Sequence, residues 1–226
     1  MSNQQTVVLL DGGMGQELIK RSANAPTPLW SATVMRDEPD LVTTVHADYI
    51  QADARVITLN NYSATPVRLA KHGLSTAFSE LHQAAITAAQ RAIAQTKPTH
   101  PVAVAGCLPP LVSSYHAEDV PSEAACLADY RALVAAQKDG VNLFLCETLT
   151  TVREVQTAAT AGKESGHPVW VGMTVDDQDG TRLRSGESLA DGVAAAKACG
   201  AAAVLINCSW PEAITQGLPV LAASGL

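Results

Sequence analysis

Short apolar runs recur along the chain, separated by longer alanine-rich stretches with helical spacing, and this alternation restricts the fold more than any single residue does. The runs are Val7-Val8-Leu9-Leu10, Val56-Ile57-Thr58-Leu59, Val102-Ala103-Val104-Ala105, Val141-Asn142-Leu143-Phe144-Leu145, Val169-Trp170-Val171-Gly172-Met173-Thr174 and Ala203-Val204-Leu205-Ile206. Near-continuous apolarity over so few residues describes a strand buried on both faces. The stretches between them carry helix ends. Asp37 is placed to cap a helix through Leu41, Val45 and Tyr49, with Pro39 in its first turn. Leu127, Tyr130 and Val134 form an apolar stripe on a helix that Gly140 stops. Val152, Val155 and Ala159 repeat the pattern to Gly162, and Leu189, Val193 and Ala196 repeat it to Gly200. Pro211 to Leu226 reads as one more helix, weakened by Gly217 and Pro219. Strands alternating with helices predict βαβ units around a parallel sheet.

Polar or small residues follow nearly every run: Asp11-Gly12-Gly13, Asn60-Asn61, Gly106-Cys107, Glu147-Thr148 and Asn207-Cys208. A doubly wound sheet concentrates its ligand loops at one switch point, whereas a barrel turns every strand's C-terminal end toward one site. The even spread predicts an α/β fold of the (β/α)8 TIM-barrel type. About six of eight βα units are present, in a single incomplete domain over residues 1–226. A full barrel takes about 250 residues. The chain is therefore expected to stop two units early, and either to self-associate through two open parallel edges or to be part of a longer product.

Composition narrows the function. With 226 residues, 47% hydrophobic, the chain can bury a globular core. Its 15 Lys+Arg against 22 Asp+Glu leave a net charge of −7 without basic runs, which argues against nucleic acid as a partner. No apolar stretch approaches the ~20 residues needed to span a bilayer, so no membrane is expected. Met1-Ser2-Asn3-Gln4-Gln5 lacks the pattern of a secretory signal. The five cysteines are scattered rather than paired, which suits a reducing, cytoplasmic location.

The candidate chemistry lies after the strands. Asp11-Gly12-Gly13-Met14-Gly15 lacks the third glycine of a dinucleotide fingerprint, because Leu18 stands there. Its glycines suit a backbone approached by a small ligand, with Asp11 at the edge; alternatively Asp11 caps the turn that they allow. Glu147 is expected where a buried strand opens into a loop. It forms a two-carboxylate clamp for an ammonium with Asp11, or does acid–base work with it, or caps the helix through Val152. Cys208 ends the sixth strand, where a thiolate serves as nucleophile or metal ligand or packs as a small core residue. Cys146 is expected on the face opposite Glu147, Cys107 in a loop near the site, and Cys126 and Cys199 as packing residues on helices. The six histidines show no metal-ligand spacing.

Taken in order, these segments resemble the homocysteine S-methyltransferase family from about residue 7 to residue 226. Leu10-Asp11-Gly12-Gly13-Met14-Gly15 is similar to its DGGMG opening and Pro28-Leu29-Trp30-Ser31-Ala32 to its PLWSA segment. Ile57-Thr58-Leu59-Asn60-Asn61-Tyr62 resembles ITTNTY, and Ala105-Gly106-Cys107-Leu108-Pro109-Pro110 the AGSxxP loop. Glu147-Thr148, Leu183-Arg184-Ser185-Gly186-Glu187 and Ile206-Asn207-Cys208 match ET, LRSGE and INC. The resemblance implies a zinc-dependent barrel that transfers a methyl group to the thiol of homocysteine, giving methionine, from a sulfonium donor such as S-methylmethionine. It implies that Asp11 and Glu147 hold the homocysteine ammonium, and that Gly12, Gly13 and Ser31 lie near its carboxylate. Asn60 falls on the family's asparagine, and Cys208 is the first zinc ligand. Zinc would lower the pKa of the substrate thiol. Asn61 and Cys107 depart from the family's threonine and serine, and the GGCC segment that supplies the other two zinc ligands is absent from the sequence. Zinc is therefore expected to be weakly bound or absent, with little activity in this chain. Two alternatives follow: a non-catalytic fragment that binds homocysteine without the metal, or a metal-free barrel enzyme using Asp11 and Glu147.

Overall fold

The computed structural model describes residues 7–25, 27, 29 and 31–226. Five parallel strands form one sheet: β1 (Val56–Thr58), β2 (Ala103–Leu108), β3 (Leu143–Leu149), β4 (Val169–Met173) and β5 (Ala203–Ile206). They lie side by side in chain order, each parallel to the one before it. The strand order among the described residues never reverses, so they contain no switch point of the doubly wound kind. Among the described residues the sheet is open, with β1 and β5 unpaired to each other.

Helices α1 (Met14–Arg21), α2 (Ser31–Asp37) and α3 (Pro39–Gln51) precede β1, and α4 (Pro66–Lys71) and α5 (Phe78–Thr96) follow it. Further on, α6 (Glu123–Gln137), α7 (Val152–Glu164), α8 (Leu189–Ala198) and α9 (Pro211–Ala222) alternate with the strands. Side chains alternate along each strand, and the two sheet faces have different fates. Ile57, Val104, Leu108, Phe144, Cys146, Val171 and Met173 join the helices in the main core. Val56, Ala105, Leu143 and Leu145 form a small second cluster on the opposite face, edged by Leu10, Ala103, Trp170 and Leu205.

Several expectations need correcting. Val7 to Leu10 is not a strand: a single parallel bridge joins Leu10 to Val56, and Val7 is 88% exposed, so the run's apolarity is not matched by burial. Five strands, not six, are therefore present among the described residues. Helix α3 begins after Glu38 rather than Asp37, because Asp37 closes α2; Pro39 does occupy its first turn. Strand β2 runs on through Cys107, and β3 through Glu147, so neither residue lies in a loop. Nor does Glu147 cap α7. Thr151 does, in a capping box with Glu154. Helix α9 ends at Ala222, short of Leu226, and accommodates Pro219 inside it. Met1 to Gln5, Pro28 and Trp30 lie outside the described residues.

Two buried histidines mark the core as pH-sensitive. His46 on α3 is fully buried, and neither ring nitrogen has a hydrogen-bond partner among the described residues. Burial pushes its pKa down to about 4. His82 on α5 is also held near 4 by burial, with one ring nitrogen 3.1 Å from the Ala64 carbonyl and the other 3.2 Å from the Asn61 amide nitrogen. Those contacts suit the neutral ring protonated on Nε2. The unfolded chain protonates these rings near 6.5 and the folded chain near 4, so stability falls as pH drops through that window. For His46 the loss amounts to roughly 3 kcal/mol. Denaturant unfolding of the wild type and His46→Leu between pH 7 and 4 should therefore show the wild type losing stability relative to the variant. Parallel curves would contradict this account.

Candidate functional site

The sheet face with the smaller second cluster, here the inner face, carries polar groups toward the C-terminal ends of its strands. Asp11 follows the Leu10 bridge, and its backbone N–H donates to the Val56 carbonyl at 2.9 Å. The Thr58 N–H and hydroxyl donate to its two carboxylate oxygens at 2.6 and 3.0 Å. Gly12 packs closely on Tyr49: a Cβ there would lie 2.9 Å from the Tyr49 hydroxyl oxygen, so that ring would have to shift. Gly13 precedes the first turn of α1 as its N-cap. Ser31, at the first residue of α2, is buried, and its carbonyl accepts from the Asn60 amide at 3.3 Å. The structure thus brings Ser31 and Asn60 together, and ties the start of α2 to the end of β1.

Glu147 projects from β3 on the face opposite Cys146, which is buried in the main core as expected. The Cys107 thiol donates to one Glu147 oxygen at 2.8 Å. Burial pushes the Glu147 pKa up, and the Cys107 hydrogen bond offsets part of that. The Asp11 pKa is pushed up to about 7, first by burial; Thr58's hydrogen bonds lower it and the Glu147 charge raises it. The two carboxylates therefore feel each other across the inner face. Among the described residues neither makes an ion pair with a lysine, arginine or histidine.

Cys208 lies just past β5, exposed, with a left-handed backbone at φ 52°. Thr148 Oγ1 and Asn207 Nδ2 each lie 3.5 Å from its sulfur. Thr148 (φ 61°) and Tyr115 (φ 70°) are also left-handed non-glycine residues, and burial, followed by the neighbouring Cys208, pushes the Tyr115 pKa up to about 12. Such strain collects where surrounding contacts over-determine the backbone. Arg184 supplies those contacts. It forks onto both Asp177 oxygens at 2.9 and 3.0 Å, donates to Thr174 Oγ1 at 2.9 Å and to the Cys208 carbonyl at 3.3 Å, and stacks on Tyr115. In the same segment Glu187 accepts from the Val152 N–H, at the first turn of α7. Sequence reasoning marked this segment by resemblance alone and assigned Arg184 no role. It also missed Thr58 and Tyr115, which no local pattern distinguishes from structural residues.

The donor set does not complete a zinc site. A catalytic zinc takes three protein ligands. No group of three His, Cys, Asp or Glu residues placed to hold a metal exists among the described residues, and Cys208 is an exposed free cysteine. Of the other cysteines, Cys126 and Cys199 pack on or beside helices as expected, and Cys107 faces Glu147.

Fold and site together define an α/β enzyme class in which parallel strands present carboxylates and a cysteine at or toward their C-terminal ends. A family model described as homocysteine S-methyltransferase matches residues 8–225. The chain belongs to the homocysteine S-methyltransferase family. It is 33% identical to the homocysteine S-methyltransferase of Escherichia coli (strain K12), over 96% of this chain and 74% of that one. It is 29% identical to homocysteine S-methyltransferase 3 of Zea mays, over 92% of this chain and 67% of that one. The crystal structure of the homocysteine methyltransferase MmuM from Escherichia coli in its metallated form superposes with a TM-score of 0.85 at 30% identity, covering 97% of this chain and 81% of that one. No helix among the described residues is long and apolar enough to cross a membrane.

The electrostatic link between the carboxylates is directly measurable. Glu147→Gln removes a charge that raises the Asp11 pKa, so the Asp11 carboxyl carbon should titrate below its value of about 7. An unchanged Asp11 titration by 13C NMR would show that the two groups are not coupled.

Proposed function

We propose that this chain binds homocysteine before the C-terminal ends of its strands, for methyl transfer from a sulfonium donor such as S-methylmethionine to give methionine. The observation that carries this reading is the coupled, partly buried pair Asp11 and Glu147, which has no protein cation paired with it among the described residues. A substrate ammonium placed between them would relieve their mutual repulsion and compensate their burial. The Gly12-Gly13 backbone, which directly follows Asp11, and the joined pair Ser31 and Asn60 are assigned to the amino acid's carboxylate. Cys208 then marks the sulfur end. In the transfer itself the homocysteine sulfur attacks the donor's methyl carbon, the methyl–sulfonium bond breaks, and the donor leaves as a neutral thioether. The substrate thiol releases its proton to solvent water, so the transfer yields two neutral thioethers and one proton.

The sequential strand order supports reading the five strands as an arc of a (β/α)8 barrel, and residues 1–226 as one domain. Zinc is the group the family resemblance implies. Cys208 would be its ligand among the described residues, which hold no three-ligand group, and this chain should hold zinc weakly. A second reading, homocysteine binding without turnover, is favoured by the same incomplete donor set.

Calorimetric titration with homocysteine, beside a methionine-formation assay with S-methylmethionine and added zinc, tests both readings. Binding by the wild type should weaken about tenfold or more in Asp11→Asn and in Glu147→Gln, a loss of about 1.4 kcal/mol or more. Binding with methionine formation supports the enzyme, and binding alone supports the second reading. A wild-type chain that does not bind homocysteine would overturn both.

A further inference from the structure

Glu147 is held by a neighbour whose own position is fixed from the opposite side of the sheet. The Cys107 thiol reaches Glu147 across the inner face from β2, at 2.8 Å, and is the single hydrogen-bond partner of that carboxylate among the described residues. Burial and the Glu147 charge push the Cys107 pKa well above the usual thiol range, so the sulfur keeps its proton and acts as the donor.

Behind the strand, Gln137 of α6 is fully buried, and its side chain grips the Cys107 peptide at both ends. Its Oε1 accepts from the Cys107 N–H at 2.9 Å, while its Nε2 donates to the Cys107 carbonyl at 3.2 Å and to the Leu133 carbonyl at 3.0 Å. Gly106 leaves room for this amide: a Cβ there would lie 3.0 Å from Gln137 Oε1 and 2.7 Å from the Phe144 ring. A buried glutamine spent on one peptide of a strand fixes that residue's height and rotation.

We propose that Cys107, clamped by Gln137, is a positioning residue that holds one Glu147 oxygen and leaves the other directed at the substrate ammonium. The inference rests on the homocysteine reading above and adds two residues to it, neither of which touches the reacting atoms. The titratable and charged groups around Glu147 are few. Asp11 faces it from the segment before α1, Cys107 from β2 and Tyr62 from the turn after β1, while Cys146 precedes it on β3. Arg68 lies beyond, stacked on the Tyr62 ring and bonded to the Pro110 and Val112 carbonyls. A thiol is a weak donor, so it orients the carboxylate while offsetting little of its burial.

The test compares Cys107→Ser, Cys107→Ala and Gln137→Met in the full chain. It follows the Glu147 carboxyl by 13C NMR titration without ligand, and homocysteine affinity by calorimetry across pH. In Cys107→Ala the carboxylate loses its donor, so Glu147 should titrate at higher pH and the acid limit of homocysteine binding should move up with it. The homocysteine Kd should rise about five- to twentyfold. In Cys107→Ser a hydroxyl restores the donor, so Glu147 should titrate below its value in the alanine variant, with a Kd within about threefold of the wild type. Gln137→Met leaves the thiol in place but removes the Gln137 bonds to the Cys107 peptide, whose carbonyl keeps only the longer 3.4 Å bond from Asn61, and should weaken homocysteine binding in the same direction as the alanine variant. Equal titrations and equal affinities in the serine and alanine variants would mean that Cys107 only fills space, and would overturn the proposal. If the wild type binds no homocysteine, the substrate half of the proposal falls with the functional reading. The NMR titration would still decide whether Cys107 sets the Glu147 carboxyl.

Discussion

Burial of one face of the parallel sheet beneath the helices is the constraint on which the other features depend. Side chains alternate along each strand, so committing Ile57, Phe144, Cys146 and Val171 to the helix layer sends Val56, Thr58, Cys107, Leu145 and Glu147 to the other side. A one-residue slip in β3 would bury Glu147 in the core and turn Cys146 toward the site. The main core therefore sets the register that exposes the chemistry. Apolar residues fill the inner face near its middle, and the polar groups gather where the strands end.

The site itself is a set of supports reaching around those ends. Thr58 holds Asp11, Asn60 holds the start of α2, Gln137 holds the Cys107 peptide, and Arg184 holds the loop that carries Cys208. Each support comes from a different stretch of chain, so a ligand bridging Asp11, Glu147 and Cys208 would contact groups fixed independently of one another. The left-handed backbones at Tyr115, Thr148 and Cys208 fall in the most heavily cross-linked part of this arrangement. A substrate with a cation at one end and a soft sulfur at the other matches that layout. The family membership gives the same pairing of groups a chemical purpose.

Much of the fold was legible because the buried strands are nearly continuous apolar runs, and the placement of Glu147 and Cys146 on opposite faces followed from period two alone. The Val7 to Leu10 run misled because apolarity identifies a segment able to be buried, whereas its exposure depends on what lies beside it. Cys107 and Glu147 were placed in loops because the sequence marks where apolarity ends, not where backbone pairing ends. The α3 cap slipped by one residue for a related reason: Asp37 and Glu38 are both acidic, and only the preceding helix decides between them. Asp11, Glu147 and Cys208 were legible as candidates. Their supports were not, since Gln137 and Arg184 act across long sequence separations that no local pattern encodes.

The most direct test of the account is a crystal structure of this chain with homocysteine bound. The account predicts the amino nitrogen within hydrogen-bonding distance of both the Asp11 and Glu147 carboxylates, with the sulfur on the Cys208 side. An amino nitrogen that contacts neither carboxylate, or homocysteine bound away from the C-terminal ends of the strands, would contradict it.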